Sequence, residues 1–251
     1  LPAVLLLPDV PVHGAAEADD PGLSERPGLF HGRGGAGGGA LNTQLMMGYL
    51  AELSANNNKT WFDANRERYT RVRKRFNGFV EELIDGLSAI DPSVEGLRVQ
   101  DCTYRINRDT RFSPDKSPYK GWLGAFIAPH GKSSGYGGYY FHIEPEGDSK
   151  WHNQLVAGVY MPEGPVLRSL REEILDNGAE IAQALREAEG FTLYEGNKLK
   201  RTPKGFPAGT EYDEWLKLKE FWVTRPVDEQ FLTDRNLLRN TIREFGKTKH
   251  L

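Results

Sequence analysis

Between residues 62 and 87 the apolar side chains fall mostly three or four apart: Phe62, Tyr69, Val72, Phe76, Phe79, Val80, Leu83, Ile84 and Leu87. At 3.6 residues per turn this spacing draws one stripe along one side of a helix. A stripe of that length has to be covered, so the helix belongs to a packed core. The basic run Arg71 to Arg75 falls mostly on the opposite, exposed side. Asp91-Pro92 ends the helix near Ile90, since proline has no amide hydrogen and crowds the preceding turn. Upstream, Asn42 or Thr43 is placed to cap a shorter helix carrying Leu45, Met46, Tyr49, Leu50 and Leu53, which Asn56-Asn57-Asn58 interrupts.

Beyond Pro92 the pattern changes to short apolar runs. Strands are expected at Cys102–Ile106, Trp122–Ala128, Tyr136–Glu144 and Gln154–Tyr160. The turn-rich segment 129–135 and the other short connections suggest hairpins, hence antiparallel pairing. Helical spacing returns at Val166–Asn177 and Ala179–Glu187. A Lys- and Pro-rich loop at Lys198–Pro207, a short helix at Asp213–Lys219, a strand at Phe221–Val227 and a closing helix at Asp228–Phe245 complete the chain. Helices at both ends of a strand-rich middle predict an α+β fold: a central, mainly antiparallel sheet with helices from both chain ends packed on it.

Residues 1–41 differ. The first forty hold 9 Gly and 5 Pro, too little apolar surface to repay the entropy of ordering on their own. They are expected to be an extended arm, with residues 42–251 as one domain. Leu5, Leu6, Leu7, Leu29 and Phe30 are its apolar exceptions and the candidate anchors on another protein chain. An arm that gains order only in an interface leads to the expectation of a non-catalytic accessory subunit of a larger assembly. If Leu1 is a processed start, that assembly is organellar, such as a mitochondrial ribosome, respiratory complex or ATP synthase, and the chain sits in the mitochondrial matrix. Otherwise it is cytoplasmic.

Composition limits the other classes. A net charge of -3 argues against a generally basic nucleic-acid binder and leaves nucleic acid as a less favoured partner. No apolar run approaches the roughly 20 residues of a membrane span. With Cys102 as the lone cysteine, an internal disulfide and a Cys-rich zinc site are both excluded. No phosphate-loop, dinucleotide or metalloprotease motif appears, so no metal and no cofactor is expected.

Two loops are dense in cations. The stretch 104–120 carries Arg105, Arg108, Arg111, Lys116 and Lys120, and the stretch 197–206 carries Lys198, Lys200 and Lys204. Guanidinium and ammonium groups beside backbone amides hold carboxylates and phosphates. If the loops converge, they make a site for a small anionic ligand. Alternatively Asp109 and Asp115 pair with these cations and simply pin the first loop. Tyr140, His142 and Glu144 lie two apart on a strand and share one face, opposite Phe141 and Ile143. That set is able to do acid–base work, or it is the wetter side of a half-buried sheet.

The segments Asn57 to Arg66, Arg105 to Lys120, Gly138 to Pro145 and Leu199 to Phe206, with Leu216-Lys217-Leu218-Lys219, resemble the hallmark segments of the family called domain of unknown function 2461, in order and over roughly residues 45–245. The resemblance implies a shared fold and a shared polar site, and it brings no activity with it. The arm lies outside the family pattern, and the connection 147–153 is longer and more polar than expected.

Overall fold

The computed structural model describes residues 42–145 and 152–251. The expected arm, its anchors Leu5, Leu6, Leu7, Leu29 and Phe30, and most of the 147–153 connection lie outside the described residues.

The chain runs α1 (Thr43–Ala55), α2 (Lys59–Ala64), α3 (Arg66–Ser88), α4 (Val99–Cys102), β1 (Leu123–Ile127), β2 (Gly138–Ile143), β3 (Gln154–Val159), α5 (Gly164–Glu187), β4 (Thr192–Leu193), α6 (Asp213–Leu216), β5 (Phe221–Pro226), α7 (Glu229–Thr233) and α8 (Leu237–Gly246). One five-stranded sheet has the order β1-β2-β3-β5-β4, and every pairing in it is antiparallel. The fold is α+β, as the sequence pattern predicts.

The helices from both ends cover one face of this sheet. Leu123, Ala125 and Ile127 of β1, Tyr139, Phe141 and Ile143 of β2, Leu155 and Ala157 of β3 and Val223 of β5 point into the same core as Met46, Leu50, Val72, Phe76, Val80, Leu83 and Phe245 of α1, α3 and α8. Their alternation along each strand is the period-two pattern of a sheet with one face in the core.

Several local expectations change. Asn42 caps α1 by accepting from the Leu45 amide, but Leu45 itself turns outward and is exposed. The long helix is broken at Asn65 into α2 and α3. Cys102 to Ile106 is not a strand: the Asp101 carboxylate accepts from the Arg98 guanidinium and amide at the start of the turn α4, and only Thr103 makes a bridge to β1. Asn177, with φ -127, kinks α5 where two helices were expected. The closing helix splits into α7 and α8, separated by Asp234, Arg235 and Asn236. The two-residue strand β4 was outside the sequence pattern altogether.

Candidate functional site: the second face of the sheet

The residues that alternate with the core positions line the other face. On β1 and just before it these are Trp122 and Gly124; on β2, Tyr140 and His142, with Glu144 next in line; on β3, Gln154 and Val156. Thr224 and Trp222 continue the row on β5, opposite Val156 and Gly158. The helices α1, α3 and α8 pack on the opposite face, and Tyr104, Tyr160 and Tyr194 reach this one from outside the strands.

At its β1–β2 side three polar groups form a chain. The Tyr140 hydroxyl lies 2.7 Å from His142 Nδ1. On the far side of the ring, His142 Nε2 is 3.2 Å from Glu144 Oε2, close enough for strong attraction but off the line of a well-formed hydrogen bond. His142 and Glu144 are 3% and 1% exposed, so they are not a wet sheet edge. Burying a carboxylate is costly, and the imidazole is one group close enough to help offset it. In the tautomer with the ring proton on Nε2, Nδ1 accepts from the Tyr140 hydroxyl. Burial, helped by Tyr104, Glu144 and Tyr160, pushes the Tyr140 phenol far above its ordinary value, so it keeps its proton.

Aromatic rings frame the chain. Trp122 lies 5.2 Å from the His142 ring, and Tyr104 meets Trp122 and Tyr140 edge-on at 5.8 and 6.3 Å. Gly124 makes room: a Cβ there would lie 2.7 Å from Tyr140 Oη and 2.9 Å from Cε2. From the helix layer, Arg73 donates to the Tyr104 carbonyl at 2.8 Å and to Thr103 Oγ1 at 2.7 Å, pinning the strip that carries Tyr104. This arginine is thus the inward-turned member of the basic run.

The basic loops behave differently from the expectation of one shared pocket. The first, 105–120, is tied to β1 through Thr103, and the second, 198–204, is bridged to Leu218 just before β5, so the sheet order anchors them toward opposite edges. Their cations are met by their own neighbours. Arg108 pairs with Asp115 and Arg111 with Asp109, holding both carboxylates down at about 2. For Asp115 the Ser117 hydroxyl and amide contribute first. Lys116 donates to the Thr110 carbonyl, and Lys198 reaches Glu195 and Glu214. Arg105, Lys200 and Lys204 are exposed. Lys120 alone is brought to the open face: its Nζ lies 5.5 Å from the Tyr104 ring and 5.1 Å from the Trp122 ring, and it donates to the Arg105 carbonyl at 2.8 Å. For the rest of the loops the pinning reading fits better.

A family model described as "Conserved hypothetical protein (DUF2461)" matches residues 45–251. The chain belongs to the DUF2461 family. No curated protein and no solved structure matches it. Within the DUF2461 domain the hallmark segments are joined physically. Asn57 donates to the Tyr119 carbonyl at 2.9 Å and accepts from the Tyr119 amide at 3.0 Å, while Phe62 stacks on the Tyr119 ring at 4.0 Å. Arg171 of α5, buried, donates to the carbonyls of Leu216 and Leu218. The segment 138–145 carries the Tyr140–His142–Glu144 chain itself.

Sequence reasoning missed Tyr104, Trp122, Tyr160, Tyr194, Trp222 and Glu220 as residues of one face. Tyr104 and Trp122 flank the first basic loop, and Glu220 immediately precedes β5, two residues before Trp222. A glycine in mid-strand at 124 is the local signal that a neighbouring ring crosses there. Among the described residues no group of three or more His, Cys, Asp or Glu is arranged to hold a metal ion, and no helix is long and apolar enough to cross a membrane.

Proposed function

We propose that this domain is an enzyme that moves a proton on a small organic molecule bound to the second face of its sheet. The observation that carries the reading is the buried Tyr140–His142–Glu144 chain, framed by the rings of Tyr104 and Trp122. The Tyr140 oxygen takes a proton from the substrate as its own proton passes to His142 Nδ1. Glu144 stabilises the imidazolium that forms, and the reverse transfer returns the proton to product. This is the logic of a hydroxyl activated through an imidazole that a carboxylate orients. Because burial disfavours a free tyrosinate, the phenol has to pass its proton on rather than lose it to water. Lys120, over Tyr104 and Trp122, puts positive charge at the same side and suits a carboxylated or phosphorylated substrate.

The accessory-subunit reading rests on the composition of residues 1–41, which lie outside the described residues. For the enzyme reading, the wild-type chain is incubated in deuterated water with a mixture of carboxylated and phosphorylated small metabolites and followed by mass spectrometry. At least one compound should gain deuterium or be consumed, and His142→Asn should abolish the change. If no compound changes above the protein-free blank, the reading is wrong.

A further inference from the structure

The β5 end of the same face has its own unused group. Glu220 is 5% exposed, and its Oε1 accepts from Asn197 Nδ2 at 3.0 Å. Its Oε2 is buried with no hydrogen-bond partner. A buried carboxylate oxygen without a donor costs stability that a protein does not normally leave uncompensated. Of the lysines nearby, Lys198 pairs with Glu195 and Glu214 and Lys217 with Asp213 and Glu214, while Lys200 and Lys219 are exposed.

The rings around Glu220 suit a cation. Trp222 lies two residues along, and Tyr194 stacks on it with centroids 4.1 Å apart and planes 12° apart. Tyr160 meets Trp222 edge-on at 6.4 Å. Tyr160 also senses the carboxylate: its phenol is raised first by burial and then by Glu220. Aromatic faces attract cations electrostatically, most strongly where water is excluded.

We propose that Glu220, with Tyr160 and Tyr194 beside it, receives a primary ammonium group of the molecule that the second face binds. An ammonium fits better than a guanidinium. Asn197 already takes one acceptor site of Oε1, so the parallel pair of bonds that a guanidinium prefers would have to share that oxygen with it. Trp222 on β5 is separated from Tyr140 on β2 by β3, two strand spacings or roughly 10 Å across the sheet, and lies two residues, roughly 7 Å, off the Tyr140 row, with Glu220 two residues further along the chain. The substrate class is therefore an elongated amine whose reacting proton lies roughly 12 Å or more from its nitrogen. This assignment rests on the proposed function for the location of the ligand, but its test does not require turnover.

The test uses hexylamine as probe, with 1-hexanol and hexanoate as neutral and anionic counterparts of similar length. The indole NMR signal of Trp222 is followed during titration of the full chain at neutral pH. Hexylammonium should shift it saturably, and roughly tenfold or more weakly in Glu220→Gln, the expected loss of one charge-assisted contact. Equal binding of 1-hexanol and hexylammonium to the wild-type chain would overturn the assignment, whatever the folding of the variants. So would an unaltered Glu220→Gln titration, or no saturable shift, which would mark Glu220 as satisfied by buried water alone. If hexylammonium binds as expected while no compound exchanges deuterium, the amine site stands and the proton-transfer reading fails. The opposite pair of results separates them the other way.

Discussion

Replacing Gly124 by alanine tests how the Tyr140 ring is held over β1. The new Cβ would stand 2.7 Å from Tyr140 Oη, 2.9 Å from Cε2 and 3.1 Å from Cζ, all inside contact distance. The ring has to move, and its hydroxyl leaves His142 Nδ1. Overpacking of this kind costs about 1–3 kcal/mol. Alanine also reduces the freedom of the unfolded chain, which offsets about 0.4–1 kcal/mol where the native backbone accepts it. The backbone at Gly124 is not left-handed, so that gain applies. The net expectation is destabilisation by about 1–2 kcal/mol, or a fall in Tm of about 2–8 °C for a domain of this size. In a Tyr140→Ala background nothing remains to clash, and the sign should reverse, leaving Gly124→Ala neutral or stabilising by up to about 1 kcal/mol. Urea denaturation of the four proteins of the cycle measures both quantities. Gly124→Ala as stable as wild type, or equally destabilising in both backgrounds, would refute the placement of the ring.

Asn57→Ala should cost about 1–3 kcal/mol, because it removes two hydrogen bonds to the Tyr119 backbone; urea denaturation reads the loss directly. On acidification, carboxylates held below their ordinary values contribute stability that is complete above the unfolded pKa, about 4, and is lost as pH falls through the folded one. Asp109 and Asp115, both about 2, and Glu244 behave in this way. Burial alone would raise Glu244, but Lys247, Arg225 and Arg243 outweigh it. The Tm should hold from neutral pH to about 4.5 and fall between about 4 and 2, less steeply in Glu244→Gln. Deleting residues 1–41 should leave the domain folded with a Tm within about 2 °C of the full chain, since Asn42 already caps α1; an unfolded product would place the arm in the core.

What the sequence revealed and what it hid follow from range. Asn42, the stripe from Val72 to Leu87 and the alternation of β2 are local signals, and each is where the fold puts it. The kink at Asn177 is local too and falls between two expected helices, whereas the break at Asn65 is hidden because the apolar spacing from Phe62 onward reads as one helix. Cys102–Ile106 misleads because a buried cysteine and isoleucine look alike in a turn and in a strand, and the Arg98–Asp101 contact decides. Leu45 turns outward although it fits the stripe by spacing. Strand β4 is two residues long and exists through its partner β5, so nothing local encodes it. His142 and Glu144 were legible as a pair on one face, but their burial was not, because Tyr104 and Trp122 reach them from a segment outside β2. The density of cations in 105–120 and 198–204 was legible, while their pairing with Asp109, Asp115, Glu195 and Glu214 depends on loop geometry.

The claim on which the rest depends is that Tyr140, His142 and Glu144 form one polarised chain. Nitrogen-15 NMR of the His142 imidazole at neutral pH, in the wild-type chain and in Tyr140→Phe, tests it directly. The chain predicts a proton on Nε2 and none on Nδ1, with the Nδ1 resonance shifted in Tyr140→Phe as its donor is lost. A proton on Nδ1 with Nε2 bare, and a spectrum indifferent to Tyr140→Phe, would contradict it.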